Sequence, residues 1–171
     1  MERNTTNEAP HKSYLTFKLG EEEFGVQVNQ VLNILEMTRI TSVPQAPYYM
    51  KGVINLRGMV LPVIDTGLKL DLPERAIQKN TCIVVMEIGL EGDNIHIGAI
   101  VDEVLSVTEI NDIAVEPPPG IGGQYQSKFI TGMARINEKF IMLLDMNKIF
   151  SVADISSIST SKNDENQLVE Q

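Results

Sequence analysis

Two stretches of this chain read as near copies of two later ones. Phe24–Glu36 (FGVQVNQVLNILE) aligns without gaps on Ile97–Glu109 (IGAIVDEVLSVTE), at an offset of 73. Gly25 then meets Gly98, Val28 meets Val101, Val31 meets Val104, Leu32 meets Leu105 and Glu36 meets Glu109. Gly52–Asp65 (GVINLRGMVLPVID) aligns on Gly132–Asp145 (GMARINEKFIMLLD) at an offset of 80, with Gly52 on Gly132 and Asp65 on Asp145. The seven residues of difference fall where PPPGIGG (117–123) sits. This is a tandem duplication of a unit of about 60–70 residues. Each unit holds enough short strands for a small closed barrel, which leaves few exposed edges. Two such barrels are expected to pack about a pseudo-twofold axis. Val31 and Val104, equivalent by the repeat, would then lie at related places on the two barrels: either both are core residues, or they flank the junction and line an apolar groove with one wall from each barrel.

The strand content follows from local pattern. Tyr14–Leu19 and Phe24–Val28 read as a hairpin around the acidic turn at Gly20–Glu23, which lacks the spaced ligands of a calcium loop. Val28, Val31, Leu32 and Leu35 sit at helical offsets, predicting about two helical turns. Met37–Val43 reads as a strand ended by Pro44 and Pro47. Gly67–Asn80 reads as a helical turn and then a linker. Cys82–Ile88 and Ile95–Ile100 read as strands around a turn at Gly89–Asn94, whereas Val101–Val107 has mixed periodicity. Glu116–Gly123 is a loop by composition. Phe129–Ile136 and Lys139–Leu144 form a last hairpin around Asn137-Glu138. Asp145–Phe150 is a short helix with Asp145 as its N-cap.

Within Lys51–Asp65, two β-rich runs flank Arg57-Gly58, the length of a tight hairpin loop with glycine supplying a positive φ. Arg57 is expected at the turn, exposed. The second unit has Arg135-Ile136-Asn137-Glu138 where the first has Asn55-Leu56-Arg57-Gly58, so the Arg-Gly pair occurs once in the repeat. A residue that the barrel itself required would appear in both copies. The tip Asn55, Leu56, Arg57 and Gly58 therefore points to function.

Chemistry-bearing residues are few. The chain has two histidines and one cysteine, Cys82, which excludes metal sites with His/Cys ligand spacing and any internal disulfide. Cys82 is expected to be a buried apolar residue in a reduced compartment. No phosphate-binding loop, dinucleotide fingerprint, nucleophile elbow or zinc-protease motif occurs. No catalytic, cofactor or metal site is expected. A net charge of −9 over 171 residues opposes nucleic-acid binding. No apolar run approaches the ~20 residues of a membrane span, and the polar N-terminus is no secretory signal.

The motifs KGVINLRGMVLPVID, IGAIVDEVLSV, EPPPGIGG, FITGM…IMLLDMNKIF and FKLGEEEFGV, in their order along residues 14–150, resemble the CheW-like coupling proteins of bacterial chemotaxis arrays. The resemblance implies an all-β fold with short helices: two SH3-like five-stranded barrels with end segments exchanged between them. It implies a single domain over 14–150, with halves of roughly 14–70 and 80–150 and a linker at about 67–80. A disordered tail over 1–13 would precede it and a polar tail over 151–171 would follow. It further implies no catalysis and no cofactor. The expected role is an adaptor, cytoplasmic and recruited to membrane-associated receptor arrays. It would join chemoreceptor cytoplasmic tips to the regulatory domain of the chemotaxis histidine kinase.

Receptor contact in the family uses the groove between the barrels and the neighbouring hairpin, which carries over to Val31, Gly52, Arg57, Val104 and Val107. Kinase contact uses the outer ends of the barrels. Two positions depart from the family. Asn33 stands where a Glu commonly pairs with the hairpin arginine, so that Arg57 is either freed for a partner's carboxylate or paired with Glu36. Thr66-Gly67 follows Asp65 where a Leu is common, which would loosen the helix leading into the linker. Two alternatives are an adaptor of a non-flagellar system (surface motility or development) and a small β-barrel hydrolase using Asp65 and Asp145. In the bland reading, those two carboxylates are equivalent helix caps on separate barrels.

Overall fold

The structure, a computed structural model, describes residues 11–118 and 128–149. Strands β1 (His11–Leu19) and β2 (Glu22–Gln27) form the first hairpin, turning at Gly20, whose φ is 64°. One 3-10 turn (Val28–Gln30) leads into β3 (Val31–Glu36). A second hairpin, β4 (Met50–Leu56) and β5 (Met59–Asp65), runs into the helical turn α1 (Thr66–Lys69). After the linker come β6 (Cys82–Leu90), β7 (Asp93–Val101) and β8 (Glu103–Asn111). A short 3-10 turn precedes the two-residue β9 (Val115–Glu116). The hairpin β10 (Ile130–Ile136) and β11 (Lys139–Leu144) and the turn α2 (Met146–Ile149) complete the described chain.

These strands make two curled sheets, ordered β8-β1-β2-β11-β10-β9 and β3-β6-β7-β5-β4. Each is an SH3-like barrel, and each takes strands from both halves of the sequence. The chain crosses from first barrel to second at Val28–Gln30 and returns at Asp102. Parallel pairing seals each exchange. Leu143 lies opposite Gly25 in the first barrel and Val63 opposite Gly98 in the second, and the offsets of 80 and 73 carry one pair onto the other. The glycines are needed there: a Cβ on Gly98 would press on Ile83, and one on Gly25 on Leu143.

Among the described residues, three apolar clusters form the core. Ile54, Leu61, Val63, Ile83, Val85 and Ile100 fill the second barrel, and Tyr14, Ile110, Ala134, Ile141 and Leu143 fill the first. The largest lies between them and draws Phe17, Phe24 and Val26 from one barrel together with Met86, Ile97 and Val101 from the other. Strands β6 and β7 face the second barrel's interior on one side, through Ile83, Val85 and Ile100, and this shared core on the other, through Val84, Met86 and Ile97. Their sequences therefore run apolar without alternation, as in CIVVMEI and IGAIV.

Several local expectations change. Val28–Leu35, expected to be helical, is one 3-10 turn followed by β3. The register on β6 steps from Val31↔Met86 to Asn33↔Val85, leaving Leu32 as a bulge. One extra residue in a period-two strand produces apolar offsets that mimic a helix. The same bulge recurs at Leu105, between Val104↔Phe17 and Ser106↔Thr16, and accounts for the mixed periodicity of Val101–Val107. Met37–Val43 is not a strand; Thr41 alone bridges Val53, at 2.8 and 2.9 Å. Met37 and Ile40 pack instead on the interior of the second barrel. The turn expected over Gly89–Asn94 is only Glu91-Gly92, and β1 begins three residues early, at His11. The middle of the proline-glycine loop (119–127) and the tails 1–10 and 150–171 lie outside the described residues.

Candidate functional site

The β4–β5 hairpin turns at Arg57 (φ 52°) and Gly58 (φ 81°), a two-residue loop with positive φ at both positions, which matches the right-handed twist of its strands. Asn55 Oδ1 accepts the Gly58 N–H at 2.9 Å and closes the loop. Leu56 packs with Leu35, Met37 and Ile40 on the second barrel's interior cluster. Arg57 is exposed and makes no hydrogen bond or ion pair among the described residues. The second copy has the same backbone turn, at Asn137 (φ 50°) and Glu138 (φ 66°). The turn is thus duplicated, while the uncommitted guanidinium belongs to one copy. In the other hairpin, Arg135 lies 5.2 Å from the Phe140 ring centre.

Val31 is the first residue of β3 and Val104 the second of β8, each just after a crossover. Both are half-buried against the shared core, opposite Met86 and Phe17, each 0% exposed. Beyond them the two strands turn apolar side chains outward. Leu32 is 49%, Ile34 45% and Val107 60% exposed. The bulges cause this, because they rotate the following residues off the buried face. The exposure of Leu32, Ile34 and Leu105 carries no mark in the sequence, where bulge spacing imitates a buried helical face.

Gly52 is buried in β4 at φ 145°, where a Cβ would land on the Thr41 carbonyl; its role is close backbone approach. Asn33 Oδ1 accepts the N–H of Ile34 at 2.8 Å. Neither Asn33 nor Glu36 bonds Arg57, so the pairing with Glu36 is absent. Among the named residues, the structure brings Asn55, Leu56, Arg57 and Gly58 together at one tip and puts Val31 and Val104 on the shared core.

Each crossover carries its own polar cluster. At Asp102, the carboxylate accepts from Gly20 N–H at 2.6 Å and from Arg75 Nε at 2.5 Å, while Arg75 Nη2 lies 3.7 Å from Asp65 Oδ1. Arg75 comes from the linker and ties α1, the β1–β2 turn and the β7–β8 crossover together. A Cβ on Gly67 would collide with its guanidinium. Gly67 therefore makes room for a packed side chain beside the helical turn. Asp65 Oδ1 also accepts the Leu68 N–H at 3.1 Å, and Asp145 Oδ1 the Asn147 N–H at 3.0 Å, so each caps its own helical turn.

Cys82 is half-buried, not fully buried as expected. Burial pushes its thiol up, against a smaller lowering by a hydrogen bond with the Val104 backbone. Among the described residues, no three His, Cys, Asp or Glu side chains converge on a metal position, and no helix is long and apolar enough to cross a membrane.

The CheW-like domain family model matches residues 13–154. The chain is 31% identical over 140 residues to a probable chemotaxis protein CheW of Rhizobium etli, covering 82% of this chain and 88% of that one. It is 27% identical over 147 residues to chemotaxis protein CheW of Klebsiella aerogenes, covering 86% of each. The crystal structure of scaffolding protein TtCheW from Thermoanaerobacter tengcongensis superposes with a TM-score of 0.74 at 31% identity, over 85% of this chain and 96% of that one. By family model, sequence and fold, the chain belongs to the CheW-like domain family.

Proposed function

We propose that this protein is a non-catalytic adaptor that couples chemoreceptor cytoplasmic tips to the regulatory domain of a chemotaxis histidine kinase in membrane-associated arrays. The observation that carries this reading is the pair of edge strands, β3 and β8, which expose Leu32, Ile34 and Val107 beside a shared core, with Arg57 uncommitted on the nearby hairpin. An apolar strip rimmed by polar groups suits a helical partner, and a free guanidinium suits a partner carboxylate. Val31, Asn33, Gly52, Asn55, Leu56, Arg57, Gly58, Val104 and Val107 are assigned to the receptor face, with Gly52, Asn55 and Gly58 shaping the backbone that presents Arg57. The relatives named as chemotaxis and scaffolding proteins support the same role. The engagement of Asp65 and Asp145 as separate helix caps favours this adaptor over a hydrolase.

Arg57→Asp and Val107→Asp alter exposed side chains and leave both barrel interiors untouched. Each is expected to reduce co-sedimentation with receptor-containing membranes about tenfold, a loss of ~1.4 kcal/mol, with a native circular dichroism spectrum. Undiminished sedimentation of both variants would remove the receptor-face assignment.

A further inference from the structure

The two crossovers have related surroundings, and one of them holds a guanidinium. Under the repeat, Asn29 takes the place of Asp102, Asp145 that of Asp65 and Asn147 that of Gly67. Gly89 takes the place of Gly20, through the matched β1–β2 and β6–β7 pairings. Arg75 has no counterpart among the described residues. In its stead a cavity of about 430 Å³ opens between the barrels, lined by Asn29, Gln30, Glu87, Asp145 and Asn147 among others.

The hydrogen bonding has been reassigned around that cavity. Asn147 Oδ1 does what the Asp102 carboxylate does at the other crossover, accepting from Gly89 N–H at 2.9 Å and from Gln30 Nε2 at 3.0 Å. Asp145 spends one oxygen on its helix cap, and the other faces Lys148 at 4.0 Å. That lysine is 63% exposed, a surface partner that contributes little. Glu87 faces His96 at 3.1 Å, both partly exposed. The cavity thus offers an under-used carboxylate and several carboxamide oxygens, a set that suits a planar fork of N–H donors better than a compact ammonium.

We propose that this cavity is a socket for an arginine side chain contributed by a partner protein, the open counterpart of the socket that Arg75 fills from within. It lies at the barrel seam, apart from the Arg57 hairpin, and does not depend on the receptor assignment above.

The probe is N-acetyl-argininamide, titrated into the 15N-labelled full chain and compared with the lysine and citrulline analogues. Saturable amide shifts are expected at Gly89 and the Asn147 side chain, about tenfold weaker with the lysine probe and absent with citrulline. Asp145→Asn keeps a competent helix cap and is expected to abolish the response. Arg75→Ala supplies an internal reference, because the free probe should then also perturb Gly20. Shifts at Gly20 in that variant without shifts at Gly89 would overturn the proposal. So would equal responses to all three probes, or a response that survives Asp145→Asn.

Discussion

At the scale of single residues, the glycines separate geometry from chemistry. Gly52 combines a φ of 145° with a carbonyl where its Cβ would be, whereas Gly58 has a φ of 81° and nothing within 4 Å of that point. Gly58→Ala should therefore cost the left-handed penalty alone, roughly 1–2 kcal/mol. Gly52→Ala must also displace the Thr41 backbone from its bridge to Val53, and should cost at least ~3 kcal/mol. Urea denaturation of the two variants checks the order; equal losses would mean that Thr41 yields freely. The Asp65 and Asp145 caps were legible in sequence because a cap is a local contact, three and two residues long in these cases. Arg75 was not. A polar residue in a proline-containing linker carries no local mark that its partners lie at residues 20, 65 and 102.

Elements were legible where strand periodicity was uninterrupted. The hairpins at Arg57-Gly58 and Asn137-Glu138 fall on their expected turns, while Val28–Leu35 imitates a helix because a bulge at Leu32 places apolar residues at helical spacing. The second hairpin holds Glu138 at a φ of 66°, where this turn type favours glycine after asparagine. Relief of that conformation exceeds the entropy that glycine adds to the unfolded chain, so Glu138→Gly should stabilise by about 0.5–1 kcal/mol. An unchanged or lowered urea midpoint would show that Glu138 has compensating contacts.

Of the linker's side chains, Arg75 is the one that ties it to the crossover. Arg75→Ala removes the charged hydrogen bond to Asp102 and the cation beside the buried Asp65. After allowance for the partial exposure of the pair, about 2 kcal/mol should be lost. Solvent screening makes this difference smaller in high salt. A loss of the same size in Gly67→Ala, which expels the guanidinium, would identify the packed arginine as the common cause.

For the whole molecule, the duplication was legible and the strand exchange was not readable from spacing. The repeat alignment is the same whether each hairpin stays with its own half or crosses to the other. What decides is the parallel pairing of β2 with β11 and β5 with β7, contacts between distant segments that leave no local pattern. Family resemblance supplied the exchange, and the structure has it. Its consequence is thermodynamic. Fragment 11–80 contributes β1 and β2 to one barrel and β3, β4 and β5 to the other, so it completes neither, and fragment 81–149 is equally incomplete. The shared core also loses one wall in each fragment: Phe17 and Phe24 lie in the first, Met86 and Ile97 in the second. Neither piece can bury enough apolar surface to offset the ordering of its chain. Each fragment alone is therefore expected to show the circular dichroism of an unfolded chain, and an equimolar mixture to regain the β signal of the intact protein. In the intact chain, amide exchange from the interiors of both barrels should slow or quicken together as stability is varied, since the barrels share strands and a core. A fragment that folds alone, or one barrel that exchanges independently of the other, would mean that the crossovers connect two autonomous units.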